Sequence, residues 1–176
     1  MKFINFNYLV IIVYLISSNF SYSIEPPDIK NLIIHKDKKK IENVEFFNFN
    51  NKKISIKNFS KNPIIINFWA TWCAPCREEM PSLNKLKLLK KFKDVNIIPI
   101  NIGGESISKS KFFFDDLEIN NLEIYYGSGQ KLAEKFKIRG LPTTILIDKN
   151  GYEFARIVGY IDFENKSFLD WLSNKL

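Results

Sequence analysis

The sequence predicts an α/β domain in which a central mixed β-sheet is flanked by helices on both faces, with an N-terminal extension in front. Three observations support this fold class. Apolar runs of strand length alternate with amphipathic helical segments along most of the chain, which is typical of sheets with helical connections. An Asn150-Gly151 turn then joins two apolar runs as a β-hairpin before a last helical segment. The composition is globular, with 45% hydrophobic and 26% charged residues in a chain of 176.

The predicted strands are short apolar or alternating runs. The run Ile64-Ile65-Ile66-Asn67-Phe68-Trp69 is almost continuously apolar, and this predicts a central strand that is buried on both faces. A second strand at residues 95–102 ends at Gly103-Gly104. The full set of predicted strands is 54–56, 64–69, 95–102, 122–125, 143–148 and 154–158.

The predicted helices carry apolar residues at helical spacing. The first extends from Pro75 to about Phe92, and two more cover residues 106–117 and 130–136. The apolar face of the first helix consists of Met80, Leu83, Leu86 and Leu89. The apolar side of the last helical segment consists of Ile161, Phe168, Leu169, Leu172 and Leu176.

The N-terminus has the features of an export signal. Lys2 precedes an unbroken apolar run at residues 8–16, and a small-residue segment ending at Ser23 follows. This order predicts a secretory signal peptide at residues 1–23. Residues 3–20 approach membrane-spanning length, so an uncleaved tether is the alternative. The cleaved signal peptide and the uncleaved tether both predict a periplasmic or exported domain in an oxidising compartment. An anchored domain would lie at the outer face of the inner membrane.

Residues 24–45 are predicted to be a linker and an N-terminal arm. The segment Glu25-Pro26-Pro27 is extended, because proline fixes its own backbone and restricts the residue before it. Residues 28–45 are polar and lack clear periodicity. We expect an irregular arm there, with or without a strand.

Composition and charge exclude several classes of function. The net charge is +7, but 23 of the 26 basic residues are lysines scattered along the chain, so we predict solvated surface and no nucleic-acid partner. Two cysteines and one histidine are too few for a Cys/His zinc finger. A haem attached through Cys-Xaa-Xaa-Cys-His is also excluded, because Arg77 follows Cys76.

The chemical centre is Cys73-Ala74-Pro75-Cys76, which lies between a predicted strand and a predicted helix. The N-terminus of a helix stabilises a thiolate through unpaired N–H groups and the helix dipole. Cys73 is therefore predicted to attack a disulfide of a partner, and Cys76, one turn further on, to resolve the mixed disulfide. Pro75 suits the first helical turn.

Other interpretations of the cysteine pair are weaker. A zinc site needs about four ligands, and only Cys73, Cys76 and the distant His35 offer soft or imidazole donors. An inert structural disulfide is possible, but it closes too short a loop to constrain the unfolded chain much. A peroxidase needs a cysteine activated toward peroxide, and no residue pattern in the sequence distinguishes one. We predict no metal and no cofactor.

Two segments resemble a known family. The run from Asn67 to Pro81, which includes Trp-Cys-Ala-Pro-Cys-Arg-Glu-Glu-Met-Pro, is similar to the active-site segment of thioredoxin-like proteins and to their TlpA/ResA branch in particular. The run from Arg139 to Asp148 resembles the cis-proline loop and following strand of that family. The resemblance covers residues 46–176 and implies a thioredoxin-like domain there. It also implies a periplasmic thiol-disulfide oxidoreductase, usually a reductant.

The resemblance implies roles for further residues. Pro142 matches the cis-proline beside the disulfide, where the backbone of Leu141 would pair with an extended client segment. Glu79 matches an acidic residue that would exchange a proton with Cys76, the alternative being a surface glutamate in the first helical turn. Trp72 is expected at the rim around Cys73, together with Ala74 and Pro75, whereas Trp69 belongs either to this rim or to the core.

Two departures from the family pattern stand out. Asn67 occupies a position where many thioredoxins carry a buried aspartate, which makes Glu79 the better candidate for proton transfer. Thr143 follows Pro142, whereas relatives that act in cytochrome c maturation commonly have an acidic residue there. This favours the broader TlpA/ResA branch without excluding apocytochrome c as a client.

The leading hypothesis is an enzyme, expected to be monomeric, that reduces disulfides of exported clients and is recharged by a membrane thiol-disulfide electron donor. Apocytochrome c and copper-site cysteines of oxidase assembly factors are the clients that the resemblance implies.

One alternative is a copper carrier, since thiolates suit Cu(I). Sco-type carriers, however, have a Cys-Xaa-Xaa-Xaa-Cys motif and a downstream histidine, whereas His35 lies upstream and is predicted at the surface. The other alternative is a general disulfide oxidant.

Overall fold

The computed structural model describes residues 25–176, so the predicted signal peptide or tether lies outside the described residues. Within these described residues, eight strands and four α-helices follow one another. Their bounds are β1 Leu32–Lys40, β2 Glu45–Asn48, β3 Lys53–Ser55, β4 Ile64–Trp69, α1 Ala74–Leu86, β5 Asn96–Asn101, α2 Ile107–Asp116, β6 Tyr125–Tyr126, α3 Gly129–Phe136, β7 Thr143–Ile147, β8 Tyr152–Val158 and α4 Lys166–Lys175. Short 3₁₀ turns cover Ile56–Phe59 and Lys90–Phe92.

The strands form one mixed sheet in the order β1-β8-β7-β4-β5-β6-β2-β3. Strand β4 lies in the middle, parallel to β5 and antiparallel to β7, and every one of its residues is buried. Side chains alternate across a strand, so Ile65 and Trp69 pack with α1, α2 and α4, while Ile66 and Phe68 pack with α3 on the other face. The predicted mixed sheet with helices on both faces is confirmed.

Several predicted elements differ from the observed ones. Helix α1 ends at Leu86 rather than at Phe92, because Leu89 is extended and partly exposed, and Phe92 reaches the core from a separate 3₁₀ turn. Strand β6 has only two residues, at Tyr125–Tyr126. Ile161 is buried before α4 begins rather than within it. Strand β2 was not predicted.

The polar arm contains β1, a nine-residue strand that pairs antiparallel with β8 at the edge of the sheet. Its side chains are mostly exposed, so it lacks the alternation that identifies a half-buried strand. Lysines along such an edge are typical, because they hinder pairing with other chains. The predicted arm at residues 28–45 therefore contains a strand at residues 32–40, an outcome that the sequence left open.

His35 is not the surface residue that the sequence predicted. Its side chain is only 10% exposed, and its Nε2 lies 2.6 Å from Oε1 of the buried Glu153. Arg156 also donates to both carboxylate oxygens of Glu153. These two partners outweigh the effect of burial and hold the pKa of Glu153 below its usual value. His35 therefore helps to attach β1 to β8, and the structure does not bring it to the cysteine pair.

The packing of α4 provides a test of the fold. Trp171 is fully buried and lies against Phe154 and Phe168. We expect Trp171→Ala to lower the free energy of unfolding by about 3–5 kcal/mol, because it leaves a cavity in the core. The control Phe112→Ala removes a side chain that is 72% exposed and should change this free energy by less than about 0.5 kcal/mol. Urea denaturation of the purified protein measures both, and equal losses would contradict the described packing.

Candidate active site

The two cysteines lie where β4 passes into α1. Cys73 is the N-cap of α1 and Cys76 lies in its first turn, and a disulfide joins them. The Sγ of Cys73 accepts a hydrogen bond from the backbone N–H of Cys76 at 3.3 Å. Cys73 is 5% exposed and Cys76 is completely buried. Because the backbone N–H of Cys76 and the positive end of the helix dipole face Cys73, its sulfur is the one better suited to carry negative charge.

The loop before β7 lies beside this turn. The peptide bond between Leu141 and Pro142 is cis, as the family resemblance implied. Strand β7 pairs with β4 so that Thr143 is opposite Phe68, which brings Pro142 next to the end of β4. The carbonyl of Pro142 accepts from the N–H of Gly159 at 2.8 Å, and the hydroxyl of Thr143 donates to Gly140 at 2.7 Å.

The two tryptophans of the motif lie in different environments. Trp72 is 67% exposed next to Cys73, and its indole N–H is directed at the carbonyl of Gly103 at 3.5 Å. Trp69 is fully buried against Phe113, so the core alternative is correct for this residue. Ala74 and Pro75 are exposed between the two cysteines. The rim around Cys73 therefore includes Trp72 but not Trp69.

Glu79 is completely buried, so the alternative of a surface glutamate is wrong. It lies three residues after Cys76 on α1, which places both side chains on the face of the helix that packs against the sheet. Its Oε1 accepts from the side-chain amide of Asn67 at 2.7 Å, and its Oε2 accepts from the backbone N–H of Ile161 at 3.2 Å. The pair of cysteines and a buried carboxyl therefore share one end of α1.

Burial disfavours the charged form of this carboxyl. It raises the pKa of Glu79 to about 8, although the hydrogen bonds from Asn67 and Ile161 act in the opposite direction. Glu79 is therefore mostly protonated near neutral pH and close to its midpoint. A group in this condition can release and accept a proton at physiological pH.

A second carboxyl near the site was missed from the sequence. Oε1 of Glu105 accepts from the backbone N–H of Thr71 at 2.8 Å and also from its hydroxyl. Burial opposes ionisation of Glu105, but the hydrogen bonds from Thr71, together with those from Asn101 and its own backbone, outweigh it and lower the pKa. Its position just after β5 could have indicated its place near the site. Strands β4 and β5 are parallel, so the residues that follow both strands meet at one edge of the sheet.

Within residues 25–176, no group of three or more His, Cys, Asp or Glu side chains is arranged to hold a metal ion. In the same range, no helix is both long and apolar enough to cross a bilayer.

The sheet order, the cysteine pair at the start of α1 and the cis-proline loop together define a thioredoxin-like protein. Residues 38–152 match the AhpC/TSA family, which is more than half of the chain, and the chain belongs to this family. Among curated proteins it is 34% identical over 112 residues to thiol-disulfide oxidoreductase ResA of Bacillus thuringiensis, covering 61% of either protein. It is 33% identical over 110 residues to ResA of Geobacillus kaustophilus, covering 62% of either protein.

The match therefore spans about three fifths of the length of these curated relatives. Among solved structures, a secreted thiol-disulfide isomerase from Corynebacterium glutamicum has a TM-score of 0.70 at 22% identity, covering 85% of this chain and 96% of that one. The predicted resemblance to the ResA branch and the thioredoxin-like fold are confirmed.

The raised pKa of Glu79 makes stability depend on pH. The native protein retains the Glu79 proton up to about pH 8, whereas an unperturbed carboxyl releases it near 4.5. The free energy of unfolding should therefore fall as the pH rises through this interval, by about 3 kcal/mol between about pH 5 and pH 8. Urea denaturation of the oxidised protein at several pH values measures this fall.

We expect Glu79→Gln to remove this component, since the amide does not titrate. The exposed neighbour Glu78 supplies the control: Glu78→Gln should retain the dependence of the wild type. An unchanged slope in Glu79→Gln would mean that Glu79 is ionised in the native protein.

Proposed function

We propose that this protein is an exported thiol-disulfide oxidoreductase that reduces disulfides of client proteins. The observation that carries the proposal is the Cys73–Cys76 disulfide at the start of α1, with the buried carboxyl of Glu79 one turn behind it. The similarity to ResA supports the same reaction class. A pair of cysteines placed in this way can exist as a disulfide or as a dithiol, and thus can exchange two electrons with another protein.

The proposed reaction proceeds in two exchanges. In the reduced protein, the Cys73 thiolate attacks one sulfur of the client disulfide, forms a mixed disulfide and releases the other client sulfur as a thiolate. Cys76 then loses its proton and attacks the Cys73 sulfur, which releases the second client thiolate and leaves the Cys73–Cys76 disulfide. The client is reduced by two electrons, and the protein is oxidised by the same two.

Glu79 acts in the second exchange. Its carboxylate form accepts the proton of the Cys76 thiol, and its acid form returns a proton when the disulfide is reduced again. Its pKa of about 8 is close to that of an ordinary thiol, so the transfer is nearly balanced in both directions.

Client binding is assigned to the surface around Cys73. Trp72, Ala74 and Pro75 are exposed beside the reactive sulfur, and the backbone of Leu141 at the cis-proline loop would pair with an extended client segment. Apocytochrome c and copper-site cysteines of oxidase assembly factors remain the proposed clients. A membrane thiol-disulfide donor remains the proposed source of electrons, because the exported compartment offers no reducing pool.

The redox potential of the Cys73–Cys76 pair tests the direction of electron flow. A reductant should have a potential near or below the value of about −270 mV typical of thioredoxin, and a general oxidant should lie near about −120 mV. Equilibration of the purified protein with glutathione or dithiothreitol buffers gives the value. A potential near the upper figure would overturn the reductase and favour the oxidant. Stoichiometric retention of Cu(I) without any reductase activity would favour the carrier.

Serine substitutions test the unequal roles of the two cysteines. We expect Cys73→Ser to abolish insulin disulfide reduction, because no attacking thiolate remains. We expect Cys76→Ser to abolish turnover as well, but to accumulate a mixed disulfide with the client that non-reducing electrophoresis detects. If Cys73→Ser and not Cys76→Ser formed the mixed disulfide, the assignment of roles would be wrong.

Trp72 should contribute to client binding rather than to the chemistry. We expect Trp72→Ala to lower kcat/KM for insulin about tenfold, since exposed tryptophans are frequent anchors in protein interfaces. The rate of reduction of the Cys73–Cys76 disulfide by dithiothreitol should stay within a factor of two. The control Trp72→Phe keeps a flat aromatic surface and should retain most of the activity. An equal loss with insulin and dithiothreitol would instead place Trp72 in the chemical step.

A further inference from the structure

The side chain of Asn67 has unequal hydrogen bonding at its two ends. Asn67 is fully buried on β4 and shares a face of the sheet with Ile65 and Trp69. Its Nδ2 donates to Oε1 of Glu79 at 2.7 Å and to the hydroxyl oxygen of Thr144 at 3.0 Å. Its Oδ1 is buried and has no hydrogen-bond partner among the described residues. A buried amide oxygen without a partner requires an explanation.

The hydrogen bonds of Glu79 suit only one of its protonation states. Both hydrogen-bond partners of the Glu79 carboxyl, the side-chain amide of Asn67 and the backbone N–H of Ile161, are donors. Two donors satisfy a carboxylate, which only accepts. A protonated carboxyl carries an O–H group as well, and this group needs an acceptor. Near neutral pH the protonated form is the major one, because the pKa is about 8, and so the major form lacks an acceptor in this arrangement.

Rotation of the Asn67 amide supplies that acceptor. A half-turn about its terminal torsion exchanges Oδ1 and Nδ2, so that Oδ1 faces Glu79 and Thr144. The protonated Glu79 can then donate to Oδ1. The hydroxyl of Thr144 accepts in one arrangement and donates in the other, since a hydroxyl does both. After the rotation, Nδ2 rather than Oδ1 is the end of the amide without a partner. The hydrogen bond from Ile161 to Glu79 is unaffected.

We propose that Asn67 is a positioning residue that holds Glu79 in both of its protonation states by rotating its amide, with Thr144 as the reversible partner. The inference rests on the proposed role of Glu79 in accepting and returning the proton of Cys76. In the second exchange the carboxylate takes the thiol proton, and the amide turns from donor to acceptor. When the disulfide is reduced again, the proton returns to sulfur and the amide turns back. The carboxyl therefore keeps its place at each step.

This arrangement explains the choice of residue at position 67. An aspartate there would be a second titrating group within hydrogen-bond distance of Glu79, and the two carboxyls would share one proton. A serine or alanine would not reach both partners. An asparagine keeps its charge at zero and can still offer either a donor or an acceptor.

The causes of the raised pKa of Glu79 are burial and, in the opposite direction, hydrogen bonds from the uncharged groups of Asn67 and Ile161. On α1, the titratable residues near Glu79 along the chain are Glu78 and Cys76. In the segment after β8, Tyr160 and Asp162 flank Ile161, whose N–H donates to Glu79. Partial burial, followed by the negative charges of Asp162, Glu78 and Glu79, raises the pKa of Tyr160. The partners from β4 and β7 are the uncharged Asn67 and Thr144.

Nuclear magnetic resonance of the oxidised wild-type protein tests the rotation without any substitution. The Glu79 side-chain carbon should titrate with a midpoint near pH 8, and the Asn67 side-chain amide should titrate with the same midpoint. Nuclear Overhauser effects between the Asn67 amide protons and the Thr144 methyl group should be strong above the midpoint and lost below it. Amide signals that keep the same contacts on both sides of the midpoint would overturn the proposal.

Variants separate positioning from simple packing. We expect Asn67→Leu to raise the Glu79 midpoint by about half to one pH unit, because hydrogen bonds to a charged acceptor are stronger than those to a neutral one. The control Asn101→Leu removes another buried asparagine, on β5, that bonds to Ser110 rather than to Glu79, and it should leave the midpoint unchanged. Thr144→Val should weaken the pH response of the Asn67 amide while Glu79 still titrates.

The experiments on Asn67 and Glu79 can fail without contradicting the proposed oxidoreductase, and the reverse also holds. An unchanged Glu79 midpoint in a folded Asn67→Leu variant overturns the positioning role and leaves the oxidoreductase intact. Retained insulin reduction by Cys73→Ser overturns the oxidoreductase instead. Should Asn67→Leu fail to fold, the wild-type titration of the amide still decides the question.

Discussion

The structure depends on the complete burial of β4. Because this strand is central and covered on both faces, its side chains have one obligatory direction each, and a shift of one residue would turn the apolar set to the wrong face. The alternation that sends Ile66 and Phe68 toward α3 also sends Asn67 toward α1. The end of the strand then fixes where the Cys73 turn begins. The core and the reactive centre are consequences of the same register.

The burial of Glu79 has an energetic cost that bears on its proposed role. A carboxyl without water prefers to be neutral, so the protein holds a proton in its interior directly behind the disulfide. The hydrogen bonds from Asn67 and Ile161 moderate the effect enough that the proton can still leave. An apolar residue at this position would pack more favourably, but it could not take part in proton transfer. The proposed role in proton transfer would account for a glutamate here.

Much of the fold and the site could be predicted from the sequence, because the strongest signals are local. The apolar run of β4, the cysteine pair after it and the Asn150-Gly151 turn each depend on a few adjacent residues. Strand β1 could not be found in this way, because its pairing with β8 uses backbone groups and leaves most side chains in solvent. The partner of His35 is 118 residues away along the chain, so no local pattern indicates that His35 is buried.

The pKa values of Glu79 and Glu105 could not be predicted from local sequence either, and their difference is consistent with different roles. Glu79 directly follows Glu78, and Glu105 follows Gly103-Gly104, and neither local sequence indicates whether the carboxyl is buried or ionised. Burial between α1 and the sheet raises the pKa of Glu79 to about 8. The hydrogen bonds from Thr71, together with those from Asn101 and the Glu105 backbone, overcome burial at Glu105 and lower its pKa.

Environments that separate the pKa values of two neighbouring carboxyls give them different functions. Glu105 remains charged over the range in which thiols react, so it can fix the backbone of Thr71 before Trp72 and Cys73 but cannot carry a proton. In the proposed mechanism, Glu79 is the group that exchanges a proton. The turn that bears Cys73 is held by an ionised carboxylate at Thr71, and the proposed proton exchange takes place at Glu79, so each role requires the pKa that its surroundings impose.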